Sequence, residues 1–164
     1  MHPNRSKGLD RMMLARTFTF VTTAALALSI AGCEKRPSLF RNSDAALNKT
    51  SSQFSSDAAN RSYHADAARA GQADGRASVD YQFNTVQVAN LSSRDWTDVE
   101  VWVNHKYVVF VPRIPARELR TFNFQMLYDG RGNHLPTKSV TPQVQSVELY
   151  MNGQMYDVPI RLAE

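Results

Sequence analysis

Cysteine occurs once in the chain, at Cys33. A single thiol allows no internal disulfide. The other residues with chemical capacity are scattered. His64, His105 and His134 stand far apart, and none has a partner at metal-ligand spacing. Each is therefore expected to be a solvated loop residue. Zinc-peptidase chemistry needs His-Glu-x-x-His, and serine-hydrolase chemistry needs Gly-x-Ser-x-Gly; neither spacing occurs. Asp129-Gly130-Arg131-Gly132-Asn133 alternates oxygen-bearing residues as a calcium loop does. It lacks a third acidic ligand and the distal Glu, and Arg131 puts a positive charge where the cation would sit. A tight turn is the expectation, with no metal and no cofactor. Arg113, Arg117 and Arg120 flank proline turns and have the charge to contact anionic lipid or polysaccharide, but with Glu118 among them they read as a solvated loop. Trp96, Trp102 and Tyr150 would form a sugar-binding platform if they were exposed.

The elements around Cys33 say more than the thiol alone. Arg5, Lys7, Arg11 and Arg16 make a positive start, and residues 18–30 form an apolar run broken only by small hydroxyls. That run is short of the roughly 20 apolar residues of a spanning helix. Two small residues, Ala31 and Gly32, then precede Cys33, the layout of a secretory signal. Met12 and Met13 are alternative starts to Met1, and each preserves this layout. Ile30-Ala31-Gly32-Cys33 resembles the lipobox of bacterial lipoproteins, with Ile30 where Leu is usual. The resemblance implies cleavage after Gly32, a diacylglyceryl group on the Cys33 thiol, and often a further acyl chain such as palmitate on the new amine. The resemblance thus makes Cys33 the expected lipidation site, with membrane lipid as its partner. Each buried methylene contributes about 0.8 kcal/mol, so two or three chains would anchor the protein durably. Glu34 stands where the best-known inner-membrane retention signal has Asp. The resemblance therefore implies the cell envelope, with the outer membrane facing the periplasm preferred.

Charge supports an exported module and no nucleic-acid partner. The chain has 19 Lys and Arg against 15 Asp and Glu, a formal net charge of +4. Residues 1–32 hold four of the basic residues and one of the acidic ones, so the remainder has 15 against 14, or +1. A nearly neutral chain with dispersed basic residues gives no basic patch for a polyanion.

Three segments follow: a signal helix over 1–32, the lipidated Cys33 with a flexible tether to residue 78, and a folded domain over 79–164. Ala, Ser, Asn, Asp, Gln and Arg dominate residues 34–78, with Leu39, Phe40, Leu47, Phe54 and Tyr63 thinly spaced. So little apolar surface does not offset backbone ordering at about 1–2 kcal/mol per residue. A flexible chain of that length reaches roughly 37 Å. Residues 56–70 are rich in alanine, but their small side chains offer no packing face for a stable helix.

From Val79 the pattern turns to period two. Val79, Tyr81 and Phe83 share one parity, Val86 and Val88 the other, and the switch at Asn84-Thr85 predicts a bulge or a break. Val99, Val101 and Val103 share a face. Asn104-His105-Lys106 should turn the chain, and residues 107–111 read as a strand buried on both faces or central in its sheet. Residues 119–127 resume an extended run with Phe122, Phe124 and Met126 on one face. Val147, Leu149 and Met151 point inward, and Asn152-Gly153 predicts a type I′ hairpin. Tyr156, Val158 and Ile160 close the pattern, with Pro159 marking an edge strand. Trp96, Trp102, Phe110, Phe122 and Phe124 are the expected core. About six or seven short strands predict an all-β fold, a small antiparallel Ig-like β-sandwich, with a partly open barrel as the alternative.

Asn90-Leu91-Ser92, residues 96–101 and Phe124 through Leu127-Tyr128-Asp129-Gly130 resemble the FxLYD type of sandwich module found in bacterial surface lipoproteins. Two residues separate Phe124 from Leu127, where that family has one. The resemblance implies the sandwich fold and little about activity. Function then reduces to a non-catalytic binding or assembly module for an envelope protein, or to a carbohydrate- or peptidoglycan-binding module. An enzyme is disfavoured because no nucleophile, base and orienter cluster in sequence. Exposure of the tryptophans separates the first two readings.

Overall fold

The structure is a computed structural model that describes residues 44–137 and 144–162. The signal segment, Cys33 and tether residues 34–43 lie outside the described residues. Among the described residues nine strands form two sheets: β1 (Ala68–Gln72), β2 (Gly75–Asp80), β3 (Thr85–Asn90), β4 (Trp96–Val103), β5 (Tyr107–Ile114), β6 (Leu119–Asn123), β7 (Val147–Met151), β8 (Gln154–Asp157) and β9 (Ile160–Leu162). The first sheet has the order β1-β8-β7-β4-β5, the second β6-β3-β2-β9. This is an all-β sandwich. Val79, Val86, Val88, Val99, Val101, Phe122 and Phe124 are among the residues of its buried core.

The expectation of a purely antiparallel sandwich is corrected, because β1 pairs with β8 and β2 with β9 in parallel. The cause is two chain segments that change sheets side by side. One crosses at Ala73-Asp74 between β1 and β2, the other at Val158-Pro159 between β8 and β9. Ala73 N donates to Asp157 O at 2.9 Å, and Ala77 N to Pro159 O at 2.9 Å. Pro159 has no N–H to pair, which suits a crossing point between ladders. Gly75 sits at the same corner against Trp96. A Cβ there would lie 2.5 Å from Trp96 Cη2 and 2.7 Å from the Ala89 carbonyl oxygen. No other residue type fits without a shift.

The tether expectation fails from Asp44 onward. α1 (Ser51–Ala59) carries a capping box, in which Gln53 N donates to Thr50 Oγ1 and Thr50 N to Gln53 Oε1. Phe54 and Ala58, four residues apart, bury one face of the helix, and α1 packs against β5. Leu47 in the preceding 3₁₀ turn is fully buried. The apolar residues of this segment are few, yet Leu47, Phe54, Ala58, Ala73 and Ala77 all reach the common core. Average composition cannot register that.

Other local expectations sort by hydrogen bonding. The parity switch at Asn84 is a hairpin. Asp80 Oδ1 accepts from Gln82 N and Phe83 N, so β2 ends at Asp80 and leaves Tyr81 and Phe83 exposed in the turn. Asn123 caps a 3₁₀ turn over Phe124–Met126, which shortens the predicted run but keeps Phe122, Phe124 and Met126 buried. Asn152 (φ 52°) and Gly153 (φ 75°) make the predicted left-handed turn between β7 and β8. β5 is buried on both faces, as expected, but ends its sheet. Tyr128 meets its outer edge through paired backbone bonds with Val108. Phe110 is half-buried and carries Arg61 over its ring instead of entering the core. β8 is an interior strand because β1 covers it, so the edge inferred from Pro159 belongs to β9. β2 is likewise interior. Among the described residues no helix is long and apolar enough to cross a membrane.

Candidate functional site

On β4 the inward valines 99, 101 and 103 leave Glu100 and Trp102 on the opposite face. The ladder to β7 sets Glu100 opposite Tyr150 and Trp102 opposite Glu148. A period-two strand would normally give that face to water. Here it is covered, because the chain between α1 and β1 crosses it as a strap carrying Arg61, Tyr63 and His64. Arg69 follows on β1.

Two carboxylates tie the strap down, and each takes one arginine, one histidine and one aromatic donor. Glu100 Oε1 lies 3.3 Å from Arg61 Nε. Its Oε2 lies 3.0 Å from His64 Nε2 and accepts from Trp102 Nε1 at 3.0 Å. Glu148 Oε1 accepts from Arg69 Nη1. Its Oε2 accepts from the Tyr63 hydroxyl at 2.8 Å and lies 3.2 Å from His105 Nε2. Arg69 Nη2 also donates to Tyr63 Oη at 2.8 Å, closing a ring of three side chains. Glu148 is 4% exposed and Glu100 14%. Burying such charges is tolerated because cationic and hydrogen-bonding partners surround them.

Ring contacts complete the cover. His64 stacks on Tyr150 with centroids 3.5 Å apart, and Tyr63 meets Trp102 edge-on at 5.4 Å. His105 reaches the cluster from the β4–β5 turn, where Asn104 and His105 have φ of 55° and 58°. Burial, and then the hydrogen bond to Glu148, push the Tyr63 phenol above its ordinary value. The hydrogen bond to Glu148 and the one to Tyr63 stabilise the Arg69 cation and raise its pKa.

The sequence candidates are placed as follows. His64 and His105, expected to be isolated loop residues, are instead members of one network on opposite carboxylates. No local spacing could show this, because the strap and the turn lie far apart in the chain and meet only on folding, with the Tyr63 and His105 rings 5.0 Å apart. His134 stays apart, with Nδ1 2.8 Å from Leu135 O and its ring edge-on to Tyr128. Asp129 forms the expected turn: its Oδ1 accepts from Arg131 N at 3.0 Å and Asn133 N at 2.8 Å. Burial raises the Asp129 pKa, but the Asn133 and Arg131 donors and Lys106 outweigh it and hold the carboxyl below its ordinary value. Its oxygens therefore face donors. Among the described residues no group of three His, Cys, Asp or Glu is placed to hold a metal ion. Arg113 pairs with Asp95 at 2.5 Å, and Arg120 lies between Asp44 and Glu118. Arg117 is exposed in the turn between them, at φ 60°. Trp96 and Trp102 are 7% and 2% exposed, and Tyr150 lies under His64, so none of these three offers an open aromatic platform. Cys33 lies outside the described residues.

In comparisons with known proteins, no family model matches this chain, and neither does any curated protein or solved structure.

Proposed function

We propose that this chain is a bacterial envelope lipoprotein, anchored through acylated Cys33, whose sandwich is a non-catalytic binding or assembly module for another envelope protein. The anchor rests on Ile30-Ala31-Gly32-Cys33 after a basic start and a short apolar run. Glu34 favours the outer membrane facing the periplasm. The observation that carries the module reading is the burial of both tryptophans and the cover over Tyr150, which removes the platform that a sugar-binding face needs. Both oxygens of each carboxylate in the network are engaged by side chains, which suits holding the strap in place. The β1 strand adds a surface for a partner. All five of its residues are exposed, and it ends its sheet, so its outer backbone groups can pair with an extended segment.

Two experiments test this. Intact mass of membrane-extracted protein should give a chain beginning at Cys33 with added acyl mass, and Cys33→Ser should abolish processing there. Normal maturation of that variant removes the anchor. Cross-linking in the envelope followed by mass spectrometry should recover a recurrent protein partner. Ala70→Pro on the exposed β1 edge should reduce that recovery while leaving the melting temperature within a few degrees. Turnover of a sugar or peptide substrate by the purified protein would overturn the module reading.

A further inference from the structure

Beside the strap lies an open depression of about 450 Å³, a volume in the range of small-ligand sites, about 300–1,000 Å³. Arg61, Ser62 and Tyr63 form one side, His105 and Lys106 another, and Asp129-Gly130-Arg131 the third. Its charges are distributed unevenly with depth. The negative groups are sunk. Asp129 is 4% exposed and engaged by Arg131 N, Asn133 N and Asn133 Nδ2. Glu148, behind His105, is equally buried and held by Arg69 and Tyr63. The cationic side chains are the more exposed ones. Lys106 is 57% exposed, 3.5 Å from Asp129 and 3.2 Å from the Tyr107 hydroxyl. Arg131 is exposed, and its guanidinium makes no hydrogen bond or ion pair among the described residues. His105 is 56% exposed. A ligand entering here meets the exposed cationic side chains first; Glu148 lies behind His105, and Asp129, on the wall, has Oδ1 turned to the amides of its own turn and Oδ2 toward Lys106.

We propose that this depression binds a carboxylate of an acidic peptide segment, with Lys106 and Arg131 as the two cationic contacts and the Ser62 hydroxyl as a neutral donor. The proposal rests on the module reading and names the chemistry of its partner. A guanidinium offers a planar fork that matches a carboxylate, and charge-assisted bonds are the stronger kind. An acidic sugar is the poorer fit, because the Trp102 ring on this wall is 2% exposed and offers no stacking face.

The test uses the full-length protein in detergent micelles. The probe is the peptide acetyl-Ala-Glu-Glu-Ala-amide, its Gln-Gln counterpart is the neutral control, and D-glucuronate is the competing chemistry. Binding is read by calorimetry and by Trp102 fluorescence. The Glu peptide should saturate near ~1 mM or below at low salt and weaken as salt rises. The Gln peptide should bind at least about tenfold more weakly. Lys106→Gln with Arg131→Gln should cost about tenfold or more in affinity with the melting temperature lowered by no more than a few degrees, and Arg131→Lys should restore part of the affinity. Equal binding of both peptides, an unaffected double variant, or tighter binding of glucuronate would overturn the proposal. Absence of peptide binding while the cross-linked envelope partner is still recovered would sink the pocket alone and leave the module reading in place.

Discussion

Replacing Glu148 by glutamine should loosen the strap at its best-buried anchor. Two donors converge on the carboxylate, Arg69 Nη1 on one oxygen and the Tyr63 hydroxyl (2.8 Å) on the other, and His105 Nε2 lies 3.2 Å from that second oxygen. Glutamine keeps one acceptor oxygen and sets an NH₂ against donors on the second position. Hydrogen bonds to charged groups contribute about 1.5–3 kcal/mol each, and an unsatisfied buried group costs about 1–3 kcal/mol. Arg69 is 46% exposed and can rehydrate, so its share is discounted. A net loss of about 2 kcal/mol follows, well above the roughly 0.5 kcal/mol of an ordinary surface change. Urea unfolding followed by circular dichroism should show a lower midpoint with the slope unchanged. A second readout isolates the mechanism. Burial and then Glu148 raise the Tyr63 phenol, so the variant should bring its phenolate titration part of the way back toward 10.0. A raised folded value means that this linked stability is present below pH 10.0 and lost as pH rises through the folded value. A midpoint shift below about 0.5 kcal/mol, or an unmoved Tyr63 titration, would refute the network as the strap's anchor.

Three further outcomes are expected. Gly75→Ala should destabilise by about 1–3 kcal/mol, because one of its two clashes is with the Ala89 carbonyl, which cannot rotate away; an unchanged melting point would contradict the tight corner. Phe54→Ala should cost about 3–5 kcal/mol in urea unfolding, and a loss under about 1 kcal/mol would return residues 44–59 to the tether. The Asp129 carboxyl titrates below its ordinary 3.8 in the folded protein, so its contribution is fully present above that value and lost as pH falls through the lower folded one. Asp129→Asn should therefore flatten the acid limb of a midpoint-against-pH curve, and an identical limb would discount the turn's amide bonds.

The sandwich was legible because period two survives wherever one face is core. The valines of β3 and β4, the Asn152-Gly153 turn and the inward residues of β7 could each be read from a few neighbours in sequence. The two parallel pairs could not. They arise where Ala73-Asp74 and Val158-Pro159 cross between sheets side by side, and those segments lie far apart in the chain. Residues 44–78 misled for a related reason. Leu47, Phe54 and Ala58 are sparse, and sparseness reads as disorder unless the surface that buries them is known.

The same division runs through the candidate site. The proposed anchor at Cys33 rests on sequence alone, because a lipobox is a contiguous signal that a processing enzyme would read in extended chain. Sequence also determined the Asp129 turn, whose donors come from the next four residues. Only the tertiary structure decided that His64 and His105 stand on buried carboxylates, that Trp102 is walled in, and that Lys106 and Arg131 face one depression. Those groups come from the strap, the β4–β5 turn, β4, β7 and the loop after β6. Their charges interact through space across the sheet, and distance along the chain carries no trace of that proximity.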